Sequence, residues 1–147
     1  INLSLTDGKN IPFSDSCFDN ICAYAVIEHL SDEIAQKILL DLHRVTKPNG
    51  RIFIFKLPQK YSWTEFMARK LKMGAHTKLL TYNEINQLLT ETGWQIEKFK
   101  YSDFIFEFPP KITNLLYYPL KIANKLIPYT PLKYLGHNFS IVARKKS

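Results

Sequence analysis

The fold is decided by residues 18–58, which read FDNICAYAVIEHLSDEIAQKILLDLHRVTKPNGRIFIFKLP. The apolar run of residues 18–24 is too short for a helix and predicts a strand buried on both faces. After the helix N-cap Ser31, apolar residues recur at a spacing near 3.6, which predicts a helix. Residues 47–50 then favour a turn, and residues 51–57 predict a second buried strand. The segment therefore predicts a βαβ unit with parallel strands.

Outside residues 104–135, the rest of the chain predicts two more helices and two more strands. Capping boxes at Ser62–Glu65 and Thr81–Glu84 each predict the start of a helix. Residues 94–99 and 139–143 predict strands, although the first alternates imperfectly. The predicted fold class is therefore α/β with a mostly parallel sheet.

Composition limits the classes of protein to which the chain can belong. It has 147 residues, of which 46% are hydrophobic, and a net charge of +7. This length allows one domain, and this apolar fraction excludes global disorder. No window is apolar enough for a membrane span, and the first ten residues do not form a secretory leader. Cys17 and Cys22 have no partner at metal-like spacing, which predicts free thiols and a cytoplasmic location.

The positive charge is concentrated in the second part of the chain. Residues 1–55 carry five Lys and Arg against seven Asp and Glu, whereas residues 56–147 carry 15 against six. Residues 104–135 combine aromatic residues, prolines and lysines, and Pro119 prevents one straight helix there. Two short helices are predicted, as a lid over an anionic or lipid-linked acceptor or as a peripheral membrane contact. The alternative is that the lysines solvate helices whose aromatic faces pack on the sheet.

Four short motifs occur in order: the Asp7-Gly8 turn with Ile11-Pro12-Phe13, Phe18-Asp19, Glu28-His29-Leu30, and RVTKPNG at residues 44–50. Together they resemble the class I S-adenosylmethionine-dependent methyltransferases, in particular the small-molecule branch with ubiquinone-biosynthesis members. The resemblance covers residues 1–103 and 137–143. It implies a Rossmann-like sheet, incomplete at its N-terminus, with a helical insertion before the last strand. It also implies one partial domain over residues 1–147, with residues 1–103 and 136–147 as the sheet core and residues 104–135 as a cap.

The resemblance implies S-adenosylmethionine as cofactor and assigns residues to its site. Asp7 would accept a hydrogen bond from the adenine amino group with Gly8 near the ring, the alternative for Asp7 being an ordinary turn residue. The backbone carbonyls of Ala23 and Tyr24 would meet the amino group of the methionine moiety. His29 is the candidate catalytic residue, which would orient the substrate or accept a proton from a hydroxyl, since histidine titrates near neutrality. The alternative for His29 is packing on the following helical turn.

No metal site is predicted, and the sequence departs from the family in one respect. His43, His76 and His137 have neither mutual nor cysteine spacing typical of zinc, and His43 falls on the polar side of its helix, where solvent exposure is expected. The glycine-rich loop and the acidic residue that bind methionine and ribose in the family are missing from the sequence. The resemblance implies that they precede residue 1. We therefore expect a fragment with part of a cofactor site and no turnover on its own.

The predicted reaction is methyl transfer to a small-molecule or lipid-linked acceptor, with an oxygen nucleophile favoured because of His29. One alternative is a non-catalytic, methyltransferase-like binding or scaffold domain, which the missing glycine-rich loop favours. A second alternative is an RNA-binding or RNA-modifying protein, which the positive charge and interleaved aromatic residues favour. No nucleic-acid-binding module is recognisable, so nucleic acid is the disfavoured partner.

Overall fold

The computed structural model describes residues 10–72, 76, 78–104 and 114–146. The cofactor residues Asp7 and Gly8 predicted from the sequence lie outside the described residues, so their placement stays a prediction.

The described residues form a four-stranded sheet whose strands are connected by helices. The strands are β1 (Phe18–Tyr24), β2 (Thr46–Pro58), β3 (Trp94–Ser102) and β4 (Asn138–Lys145). The α-helices are α1 (Asp32–Val45), α2 (Trp63–Lys70), α3 (Tyr82–Glu91) and α4 (Tyr117–Leu126). Short 3₁₀ turns cover Ile27–His29, Ile127–Tyr129 and Pro131–Leu135.

The strand order is β1-β2-β4-β3. β1 and β2 are parallel and are joined through α1, so the predicted βαβ unit is confirmed. β4 lies between β2 and β3 and runs antiparallel to both, which means that β1, β2 and β3 point in the same direction. The mixed sheet and the helical segment before its last strand confirm the predicted Rossmann-like α/β fold class.

The core forms where α1 and α3 pack against the sheet. Its largest fully buried apolar side chains come from both helices and from β2, β3 and β4: Leu39, Ile52, Ile54, Leu57, Ile85, Leu89, Trp94, Phe139 and Ile141. The indole nitrogen of Trp94 donates a hydrogen bond of 3.1 Å to the carbonyl of Leu39 in α1. The core thus holds α1 against the sheet. The ends of β1 and β2 are followed by loops.

The turn predicted at residues 47–50 is replaced by an irregular start of β2, and this prediction is wrong. α1 ends at Val45 as the sequence indicates, but pairing with β1 begins immediately, at Thr46 opposite Phe18. The register then shifts, because Asn20 pairs with Arg51. The turn-forming residues are accommodated as a bulge in the strand, where Asn49 takes a φ of 63°.

The structure also corrects the expectation for His43. Its side chain is half-buried rather than solvated, and its ring stands edge-on to Trp94 with 5.5 Å between the ring centroids. The reason is Gly93, whose φ of +85° turns the chain between α3 and β3. A Cβ atom at position 93 would lie only 2.7 Å from His43 Nε2, so the missing side chain makes room for the imidazole.

Candidate functional site

The candidate site lies at the edge of the sheet where β1 and β2 end. In open α/β sheets, ligands bind outside the carboxyl ends of parallel strands. Because β4 is antiparallel to β2 and pairs Asn138 with Pro58, the start of β4 lies at this same edge. Residues that follow β1, follow β2 and precede β4 therefore come together there.

Ala23 and Tyr24 end β1 at this edge, as predicted. The Ala23 side chain is buried, whereas Tyr24 is 59% exposed. Ala25 then takes a φ of 51°, so the chain turns sharply away from the strand direction, and its N–H donates to the Phe55 carbonyl over 3.1 Å. A small residue and a sharp turn at a strand end fit a position where a cofactor approaches the backbone. The contact of these carbonyls with the methionine moiety stays a prediction.

His29 lies in the 3₁₀ turn after β1 and presents its ring to solvent. Its side chain is 67% exposed, and Nε2 lies 3.7 Å from a carboxylate oxygen of the buried Glu28. The rings of His29 and His76 are 6.5 Å apart between centroids. The imidazole is therefore accessible at the site edge, beside a carboxylate and a second histidine. Its catalytic role stays a prediction.

A buried carboxylate after β2 forms the centre of a second group. Ser62 caps α2 as predicted, since its hydroxyl accepts from the Glu65 N–H over 3.2 Å. The Glu65 carboxylate, which the predicted capping box assigns to the Ser62 backbone, binds His76 instead. Its Oε2 accepts from the His76 N–H at 3.1 Å, and its Oε1 lies 2.6 Å from His76 Nδ1. The Ser62 N–H donates to the Gln59 carbonyl.

His137 completes this group from the residue before β4. Its Nε2 lies 3.7 Å from Glu65 Oε1, and its Nδ1 lies 2.7 Å from Thr64 Oγ1 and 3.2 Å from Ser62 Oγ. Burial lowers the pKa of the His137 imidazole, although the nearby Glu65 carboxylate opposes this effect. We refer to Glu65, His76 and His137 as the two-histidine cluster.

The sequence did not indicate this cluster. Its members are separated by 11 and then by 61 positions, a spacing that matches no local ligand motif. Only the antiparallel course of β4 brings His137 back to the loop after β2. The one usable signal was the position of Glu65, in the first turn of the helix that follows a strand ending at the ligand-binding edge.

Gln59 joins the cap to this edge of the sheet. Its side chain is buried, and its Nε2 donates to the carbonyls of Tyr134 and Gly136 at 2.8 and 2.5 Å. Its backbone N–H donates to the His137 carbonyl over 3.0 Å. The side chain and backbone of one residue thus fix the chain that leads from the cap into β4.

The helix α4 in the cap has no buried residues. Pro119 lies in its first turn, where a missing N–H breaks no intrahelical hydrogen bond. An exposed apolar stripe at i, i+4 and i+8 consists of Tyr118, Ile122 and Leu126. The alternative that α4 packs its aromatic face on the sheet is therefore not supported.

Some of the positive charge in the second part of the chain has a structural role. Lys78 lies 2.8 Å from an Asp32 carboxylate oxygen and donates to the Leu30 carbonyl over 3.0 Å. Lys56 lies 3.2 Å from an Asp103 carboxylate oxygen. These two lysines connect different segments of the fold, so not all of the positive charge of residues 56–147 is available to a ligand.

None of the described helices is long and apolar enough to cross a membrane.

Comparisons with known proteins agree with the family resemblance and with the fold. Residues 1–54 match the family described as a methyltransferase domain. A demethylmenaquinone methyltransferase of Streptomyces griseus is 39% identical over 61 residues, which are 41% of this chain and 25% of that protein. The resemblance to class I S-adenosylmethionine-dependent methyltransferases is confirmed. The cofactor that this family implies is S-adenosylmethionine.

Solved structures show how widely the methyltransferase fold is shared. A methyltransferase of Methanosarcina mazei superposes with a TM-score of 0.63 at 17% identity, over 97% of this chain and 66% of that one. A methyltransferase of Thermotoga maritima gives 0.61 at 20% identity, over 95% and 61%. The [4+2]-cyclase SpnF gives 0.60 at 16% identity, over 97% and 55%. The chain spans a quarter of the curated relative and about two thirds or less of these structures.

Proposed function

We propose that the whole protein transfers the methyl group of S-adenosylmethionine to the oxygen of a small-molecule or lipid-linked acceptor. The observation that supports the proposal is that Ala23 and Tyr24, at the end of β1, and His29, in the turn that follows, lie at the same edge of the sheet. The methyltransferase domain match over residues 1–54 includes all three residues.

The predicted cofactor contacts are those of Asp7, Gly8, Ala23 and Tyr24. Bound there, S-adenosylmethionine supplies an electrophilic methyl group on a sulfonium. The protein then has to hold the acceptor in line with that methyl group and to exclude water, which is where most of the rate enhancement of such a displacement originates. The turn at Ala25 supports this arrangement, since it directs the following residues around the strand end.

His29 accepts the proton of the acceptor hydroxyl. As the oxygen–methyl bond forms and the sulfur–methyl bond breaks, the hydroxyl proton moves to the imidazole, and S-adenosylhomocysteine leaves as a neutral thioether. The exposure of the His29 ring supports this role, because a proton acceptor must be within reach of the substrate. The Glu28 carboxylate lies 3.7 Å from Nε2, at the side of the ring.

The acceptor that we propose carries an apolar chain. Support comes from α4, where the exposed stripe of Tyr118, Ile122 and Leu126 lies beside Lys121 and Lys125. Such a helix is suited to an acyl or prenyl chain and to a surface of anionic lipid headgroups. We expect α4 to make a peripheral contact of this kind.

Calorimetric titration of the full-length protein with S-adenosylhomocysteine tests the cofactor part of the proposal. We expect saturable binding, with one ligand per chain. The absence of heat from a folded sample would overturn it.

A non-catalytic, methyltransferase-like binding domain is the second candidate. The fold alone does not decide the activity, since a protein named as a [4+2]-cyclase, SpnF, shares it. Binding of S-adenosylhomocysteine without methyl transfer to any hydroxylated acceptor would select this candidate. We expect residues 1–147 alone to be inactive under either candidate.

A further inference from the structure

We propose that Glu65, His76 and His137 bind a zinc ion. One ligand atom from each residue can be chosen so that all three lie within 4.8 Å of one another. Two imidazoles and one carboxylate are a donor set typical of zinc sites that keep a fourth position open. This inference is independent of the proposed methyl transfer.

The carboxylate of Glu65 is oriented for this purpose. The His76 N–H holds Oε2, which leaves Oε1 facing His76 Nδ1 at 2.6 Å and His137 Nε2 at 3.7 Å. Zinc bonds of about 2.1 Å require neighbouring ligand atoms about 3.4 Å apart in a tetrahedron. The distance to His137 already matches, and the distance to His76 has to widen by less than about 1 Å.

The second ring nitrogen of His137 is held by hydroxyl groups. Thr64 Oγ1 lies 2.7 Å and Ser62 Oγ 3.2 Å from Nδ1. A metal-binding histidine normally engages its other nitrogen in such a contact, which fixes the ring and its tautomer. The backbone is fixed as well, since the His137 N–H donates to the Asp103 carbonyl over 2.9 Å and its carbonyl accepts from Gln59.

Burial of the Glu65 carboxylate favours a cation at this position. Its side chain is 4% exposed, and a buried carboxylate requires a compensating charge. Among its described contacts, His76 and His137 supply a positive charge only when they are protonated. A divalent cation between the three side chains compensates the carboxylate while both imidazoles stay neutral.

Titration of the metal-free, full-length protein with Zn²⁺ and Co²⁺ tests the site. We expect one Zn²⁺ per chain by calorimetry, and visible Co²⁺ absorption of the intensity that tetrahedral coordination gives. Glu65→Gln and His137→Ala should each weaken the zinc Kd at least about 100-fold. Thr64→Val should weaken it about 10-fold, because it removes only the contact that orients His137.

His29→Ala is the matched control, since this histidine lies at the same edge but outside the two-histidine cluster. Its zinc Kd should equal that of the wild type, and circular dichroism should show that every variant is folded. Glu65→Gln keeps the shape of the side chain and one acceptor oxygen, so it tests the site even where His137→Ala fails to fold. No saturable binding by the folded protein, an unchanged Kd in Glu65→Gln, or an equal loss in His29→Ala would each overturn the proposal.

Discussion

The imidazole of His43 stands edge-on to the indole of Trp94, with 5.5 Å between ring centroids. His43 Nε2 is buried and has no hydrogen-bond partner among the described residues. Burial and the positive charge of Lys145 lower the pKa of His43, although nearby backbone groups of Lys146 and Gly93 oppose this effect. The folded protein therefore favours the neutral ring at a position that the sequence assigns to solvent.

This burial predicts a dependence of stability on pH. With the folded-state pKa below that of the unfolded chain, the unfolded state binds more protons. The contribution of His43 is therefore complete above the unfolded pKa of about 6.5 and is lost as the pH falls through the folded pKa. Urea unfolding between pH 5 and 7.5 should show this loss in the wild type. His43→Gln should show a smaller pH slope, and equal slopes in the two proteins would contradict the prediction.

Gly93→Ala should destabilise the protein by roughly 1–3 kcal/mol. The φ of +85° strains any L-residue, and the added Cβ would lie 2.7 Å from His43 Nε2. A double-mutant cycle with His43→Ala separates these two causes. The His43→Ala substitution removes the collision with the imidazole, whereas the backbone strain at position 93 remains. We expect positive coupling from urea unfolding. Additive free energies of unfolding would show that the collision has no energetic effect.

Gln59→Leu should cost about 2–3 kcal/mol of unfolding free energy, because it leaves buried carbonyl groups without a donor. The Gln59 amide donates to both Tyr134 and Gly136, so the chain before β4 should also loosen. Urea unfolding measures the first effect, and hydrogen exchange around residue 136 measures the second. Gln87→Leu is the matched control, since Gln87 is exposed and donates a hydrogen bond to Glu91 in its own helix. Equal losses in the two variants would contradict this role of Gln59.

The parts of the fold that local pattern decides were predictable. The strand of residues 18–24 and the helix after Ser31 follow from the apolar pattern and capping, and both are confirmed. The predicted burial of this strand on both faces is wrong, since Ala23 is the one buried residue of β1. The bulge around Asn49 was not predictable, because turn residues and bulge residues have the same local preferences and only pairing with β1 decides between them. The burial of His43 depends on Gly93, 50 positions away, so no pattern within α1 could indicate it.

The candidate site also contains residues whose position could be predicted from the sequence and residues whose proximity could not. The positions of Ala23 and His29 at this edge could be predicted, because Ala23 lies near the end of a recognisable strand and His29 follows it. Both lie within the segment that matches the family. The two-histidine cluster depends on tertiary structure. Glu65 and His137 come together because β4 pairs antiparallel with β2. No local sequence pattern indicates this strand order or direction. Long-range pairing therefore decides which polar residues share the edge.

His29→Ala should lower kcat by about 10²–10⁴-fold if the imidazole accepts the acceptor proton. The affinity for S-adenosylhomocysteine should stay the same, because no cofactor contact is assigned to this side chain. Steady-state kinetics and calorimetry on the full-length protein measure the two quantities. His29→Gln should share the low kcat, since an amide cannot accept the proton. An unchanged kcat in either variant would remove His29 from the reaction.

Replacing Ile122 and Leu126 together by serine should reduce binding to vesicles. The exposed stripe of α4 supplies the apolar contact, whereas Lys121 and Lys125 supply attraction to anionic headgroups. Cosedimentation should show stronger binding of the wild type to anionic than to zwitterionic vesicles, with the difference reduced by salt. Leu40→Ser is the control, because Leu40 is an exposed leucine on α1, away from the cap. If both variants bind like the wild type, the apolar stripe serves a purpose other than membrane contact. If Leu40→Ser loses binding as well, the contact does not depend on α4.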